Sequence, residues 1–145
     1  MPAGVRIKGV MVVKLAVLRH EEGGRLEAER LLAIYAELGD MRGDHVVGRA
    51  IEEMAVQIAD MQRYAEEPQG GDTGEEAMVL AAGALIRVAR RIGLTTVARV
   101  AQDVIIAARA GDRTAQAAIL ARLMRIGDRS LNAIWDLQDL TLAPR

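Results

Sequence analysis

Residues 72–140 read DTGEEAMVLAAGALIRVARRIGLTTVARVAQDVIIAARAGDRTAQAAILARLMRIGDRSLNAIWDLQDL, and their spacing decides the fold. Ala77 to Ile86 contains no polar side chain; Arg87, Arg90 and Arg91 follow at helical spacing, and Gly93 stops the run. Thr95 to Ala110 carries Val97, Val100, Ala101, Val104, Ile105 and Ala108 as one stripe, closed by Gly111. From Arg113 onward, Ile119, Leu123 and Ile126 continue into Leu131, Ile134 and Leu137, with Gly127-Asp128 as a candidate kink or split. Asp112 is placed to cap this last helix, and Arg99 and Asp103 are spaced to pair on the outer face of the one before it.

Working outward, the second half of the chain begins with Thr73 and Glu76 at capping-box spacing. The breakers Pro68-Gln69-Gly70-Gly71 separate it from a helix over about Asp44 to Glu66. There Val47, Ile51, Met54, Ile58, Met61 and Ala65 recur at steps of four and three, the seam of a helix packed at a shallow angle. Glu52, Glu53, Asp60, Gln62 and Arg63 lie off that seam and are expected in water. An earlier helix spans about Arg25 to Leu38, with Leu31, Tyr35 and Leu38 on one face and Gly39 as its stop; Asp40 to Asp44 then reads as a polar turn. Short loops make consecutive helices antiparallel neighbours. The expectation is an all-α, antiparallel up-down four-helix bundle with an additional short N-terminal helix and an N-terminal arm: residues 1–24 as the arm, residues 25–145 as one domain.

Composition supports that class. Of 145 residues 51% are hydrophobic, yet there is no Phe, and Tyr35, Tyr64 and Trp135 are the aromatics, so closely packed helices are favoured over a β-sandwich. The apolar run within Val5 to Leu18 is interrupted by Lys14 and followed by Arg19-His20-Glu21-Glu22, a poor cleavage site, and is too short to span a bilayer. It reads as an arm packed on the domain, strand-like or helical, or as sequence ahead of a start at Met11. With no other hydrophobic span and no cysteine, a cytoplasmic protein is expected. Arg supplies nearly all the positive charge, a bias attributed to a GC-rich genome, and a net charge of −1 with no interleaved aromatics argues against nucleic acid.

Chemistry is sparse. Gly23-Gly24 and Gly70-Gly71 follow no strand, so no phosphate cradle is expected, and no Glu-x-x-His supplies a di-metal site. The pairs Glu52-Glu53 and Glu75-Glu76 point different ways around their helices and read as surface or capping. His20 lies in a charged link. His45, beside Asp40 and Asp44, is a candidate metal ligand or phosphoacceptor, although Asp44 has the simpler role of helix cap. No nucleophile, base or metal set converges, so neither an enzyme nor a cofactor is expected.

The helix–glycine corner–short helix–Gly-Asp corner–long helix order over residues 73–126 resembles the histidine-containing phosphotransfer domain, a four-helix bundle of bacterial two-component signalling. In that family the third helix carries a motif close to His-x-Leu-Lys-Gly ahead of a glycine corner. Gly93 matches the corner, residues 107–112 resemble the second turn, and Leu85 falls at the motif leucine. Gly83 then stands where the phosphohistidine would be, with Ile86 and Arg87 at the lysine and glycine positions. Phosphotransfer needs an imidazole nucleophile and a nearby cation; Gly83 cannot supply the first, and Arg87 retains part of the second. The resemblance therefore implies a degenerate member that docks a response-regulator receiver domain or a histidine kinase without carrying phosphate. Its contact face would be Gly83, Ala84, Arg87, Arg90 and Arg91. A bland reading of the arginines is a solvated helix end that complements the dipole. Gly83 costs about 1 kcal/mol relative to Ala in a helix, so either crowding inside the bundle or a partner's close approach is expected there. The rival function is a self-associating scaffold that buries the apolar helix in a homodimer.

Overall fold

The computed structural model describes residues 28–67 and 72–142, with the side chains of 28, 72, 73 and 137–142 outside the description. The expected arm, His20, Gly23-Gly24, the Pro68–Gly71 breakers and the capping side chain of Thr73 thus lie outside the described residues or side chains. Five helices account for nearly everything described: α1 (Ala28–Leu38), α2 (Asp40–Glu66), α3 (Asp72–Arg91), α4 (Thr95–Arg109) and α5 (Arg113–Leu142). No strand occurs among the described residues, so the all-α expectation holds.

Glycine makes the corners because each requires a left-handed backbone. Gly39, Gly93 and Gly111 have φ of 83°, 83° and 68°. At Gly93 the Leu94 N–H donates to Ala89 C=O (2.8 Å) and the Gly93 N–H to Arg90 C=O (3.3 Å), which is a Schellman motif. The same pair of bonds recurs at Gly111, from the Asp112 and Gly111 N–H groups to Ala107 and Ala108. Asp112 then starts α5 as expected: its Oδ1 accepts the Ala115 N–H at 3.0 Å.

The first corner differs from its expectation. Asp40 to Asp44 is not a turn but the opening of α2, and Gly39 alone separates α1 from α2. At φ 83° and ψ 168°, Gly39 occupies a region open essentially to glycine only. Nor does Asp44 cap a helix; its Oδ1 accepts the Tyr35 hydroxyl at 2.7 Å. Gly43 is buried, and a Cβ there would collide with the Tyr35 ring, so this glycine provides space rather than a bend. The Gly127-Asp128 pair behaves likewise. It does not split α5, which is one continuous helix; a Cβ on Gly127 would press on Ile58 Cδ1 of α2 at 3.3 Å.

Contacts run from α2 to α3, α3 to α4, α4 to α5 and α5 back to α2, while α1 packs on α2. The α5–α2 seam is antiparallel: Arg113 Nη2 donates to Glu67 C=O (3.1 Å), Gln62 Nε2 contacts Met124 Sδ (3.0 Å), and Gly127 faces Ile58. Gln62, expected in water, is thus half-buried against α5. One apolar cluster joins all five helices, and Leu31, Met54, Met61, Leu85, Leu123 and Ile134 have no exposure within it. Each such side chain contributes about 1.5–3 kcal/mol through burial. In α3, Met78, Ala81, Ala82, Leu85 and Ile86 are buried, and Leu80 is 73% exposed, so the apolar helix is largely enclosed. Arg99 and Asp103 form no ion pair with each other. No helix among the described residues is long and apolar enough to cross a membrane.

Two glycines of α2 and its corner test this account. Gly39→Ala forces a side chain into a forbidden region and should cost about 1–3 kcal/mol in urea unfolding. Gly48 has ordinary helical geometry and nothing within 4 Å of a built Cβ, so Gly48→Ala should stabilise by about 0.5–1 kcal/mol.

Candidate functional site: the arginine end of α3

Helical spacing sets Gly83, Ala84, Arg87, Arg90 and Arg91 along the C-terminal turns of α3. All three arginines are exposed, and Gly83 and Ala84 are half-buried. Ala84, Arg87, Arg90 and Arg91 line a shallow groove of about 560 Å³ together with Val88 and, from α2, Glu53. Arg91 Nη2 reaches Glu53 Oε2 at 3.4 Å, bridging α3 to α2. With side chains 67% and 47% exposed, that pair is screened and worth little by itself. Beyond it lies a second groove of about 670 Å³, whose apolar floor includes Ile34 of α1, Val46 and Val56 of α2, and Ile92.

Gly83 settles one expectation against the sequence reading. Crowding inside the bundle does not explain it, because a Cβ there would meet only Arg87 Nη1, at 3.7 Å. Nor does backbone strain, since Gly83 lies within α3 and is not among the left-handed residues. Nothing in the described packing requires glycine at this position.

The Asp40–Asp44–His45 cluster is not assembled. His45 is exposed in the second turn of α2, Asp44 is engaged by Tyr35, and no three His, Cys, Asp or Glu side chains among the described residues converge to hold a metal ion. His45 also lies about 12 Å along α2 from Glu53, well away from the arginine groove. Elsewhere on α2, Arg63 lies over the Tyr64 ring (5.3 Å) and pairs with Asp60 (3.0 Å). The hydrogen bond to Tyr64, then the Asp60 charge, hold its guanidinium above its ordinary range, so it stays charged. Glu53 is the residue that sequence reasoning missed. It read as wet surface, and no local spacing pairs it with an arginine of another helix.

Chemically, the face offers cations, small side chains and one carboxylate, with no nucleophile placed among them. Its three guanidinium groups suit it to an anionic surface. No family model, curated protein or solved structure matches this chain.

Because the Cβ direction at Gly83 is open, Gly83→Ala should raise stability by about 0.5–1 kcal/mol in urea melts. A loss of stability would mean that the helix is more crowded there than its neighbours indicate.

Proposed function

We propose that this chain is a non-enzymatic, cytoplasmic signalling domain resembling a histidine phosphotransfer domain that lacks its acceptor. On this reading α2 to α5 form an antiparallel up-down four-helix bundle, α1 is an added N-terminal helix, and the arginine end of α3 docks a receiver domain or histidine kinase. The observation that carries it is Gly83: a helix-weakening residue, at the position the family resemblance gives to the acceptor, for which internal packing supplies no reason. A partner's backbone can approach closely over Gly83 and Ala84 while Arg87 and Arg90 meet the carboxylates that surround a receiver's phosphorylation site. The rival scaffold reading, self-association through α3, is left with little surface, since Leu80 is the one large exposed side chain between Ala77 and Ile86.

Titration calorimetry against a set of receiver domains and kinase dimerisation domains tests the reading. Gly83→Glu and Arg87→Glu should each weaken binding at least about tenfold, with the circular dichroism spectrum unchanged. Binding that ignores both substitutions rejects this docking face. Transfer of an acid-labile phosphoryl group from a phosphorylated receiver to His45 would reject the claim that the domain carries no phosphate.

A further inference from the structure

The outer face of α2 has a pattern unrelated to the arginine end of α3. Arg42, Val46, Arg49, Glu53, Val56 and Asp60 follow one another at steps of four, three, four, three and four. At 100° per residue they fall within about 80° of arc, on the side opposite the buried Ile51. This is the spacing of a coiled-coil seam, directed away from the core. It is also a palindrome about Ile51: Arg42 and Asp60, Val46 and Val56, and Arg49 and Glu53 are each equidistant from it.

We propose that this face is an interface for a second copy of the chain, with the two α2 helices antiparallel about a two-fold axis near Ile51. In a two-fold contact, residue i meets residue j and j meets i. Each palindromic pair is then a contact: Arg49 with Glu53 of the partner subunit, Val46 with Val56 of the partner subunit, and Arg42 with Asp60 of the partner subunit. A parallel arrangement would set arginine on arginine and carboxylate on carboxylate, so the charges select the antiparallel one.

Shape supports the same occupant. Val46, Arg49, Glu53 and Val56 all line the groove of about 670 Å³, flanked by Ile34 of α1 and by Ile92, just past the end of α3. Val46 and Val56 are 41% and 56% exposed, and Met41, near one end, is 86% exposed. Neither Arg42 nor Arg49 has a carboxylate within ion-pair reach among the described residues. Glu53 and Asp60 have exposed or partly exposed partners, Arg91 and Arg63, whose hold is weak enough to be shared. The dimer proposal does not rest on receiver docking, because Gly83, Ala84 and Arg87 take no part in the seam.

Charge reversal in the full chain tests it by analytical ultracentrifugation. Wild type should sediment, as concentration rises, toward twice the 15.7 kDa chain mass. Arg49→Glu places carboxylate against carboxylate, Glu53→Arg places cation against cation, and each should weaken the dimer at least about tenfold. The double reversal restores both pairs and should return affinity to within about threefold of wild type. All four positions tested here or below are exposed, so folding is not at stake. A second measurement uses the absence of native cysteine. In Val46→Cys/Val56→Cys the two thiols of one chain lie about 15 Å apart along the helix, beyond a short bis-maleimide. That reagent should therefore give a closed covalent dimer. A wild type that stays monomeric, including one whose groove is filled by its own chain, overturns the proposal. So does a dimer indifferent to the single reversals, a double reversal that fails to restore it, or cross-linking that gives only monomer or a ladder of higher oligomers.

Discussion

A core built without phenylalanine has to be filled by aliphatic side chains, and the packing of these helices follows from that constraint. Interaxial distance depends on the side chains at the contact, and small ones allow the closest approach. The buried faces of α3 and α4 accordingly carry alanines, Ala81, Ala82 and Ala89 on one and Ala98, Ala101 and Ala108 on the other. Methionines, Met54, Met61 and Met78, fill the irregular space that remains, for which their unbranched and flexible side chains suit them. The few aromatic rings stay at the margins: Tyr35 against Gly43, Tyr64 half-buried beside Arg63, and Trp135 49% exposed on α5. Close packing also explains why an apolar α3 need not be an interface. Neighbours on two sides enclose most of it, leaving Glu75, Glu76, Leu80 and the cationic end to solvent.

How much of this was legible in the sequence is best judged from the glycines, which fall into three groups that a sequence writes with one letter. Gly39, Gly93 and Gly111 provide left-handed backbone, and each was readable because a periodic stripe ends just before it. Gly43 and Gly127 provide room, one for the Tyr35 ring and one for Ile58, and were misread as part of a turn and as a break. That error was unavoidable locally, because the atom each glycine accommodates belongs to another helix. Gly48 and Gly83 serve neither purpose within the described packing. A helix tolerates such residues at a modest cost, so they are where an explanation from outside the chain has most room.

Side chains followed the same division. The Asp112 cap was visible because its partner, the Ala115 N–H, lies three residues away. Asp44 looked equally suited to capping, yet its oxygen is taken by Tyr35, which the single-residue corner at Gly39 folds back onto α2. Gln62 against Met124 and Arg91 against Glu53 were invisible for the same reason: the partners are distant in sequence and share no periodicity. The periodic core of α2 was plain, and its outer face passed as merely polar. A hydrophobic scan discards the order of signs along a solvent-facing stripe, and that order is where a self-complementary contact would be written.

Glu53 and Arg91 lie where the two proposed surfaces meet, which gives them a physical relation. The α3 groove and the α2 groove share both residues, and the 3.4 Å pair stands between them. A partner that draws Arg91 toward its own carboxylates leaves Glu53 with an oxygen to satisfy, and Arg49 of the partner subunit is the cation that the palindrome places there. Conversely, a dimer that engages Glu53 frees Arg91 for the α3 face. Since the internal pair is exposed and weak, exchanging it costs little in either direction. The two events would then favour one another, and by thermodynamic linkage the factor is the same whichever comes first.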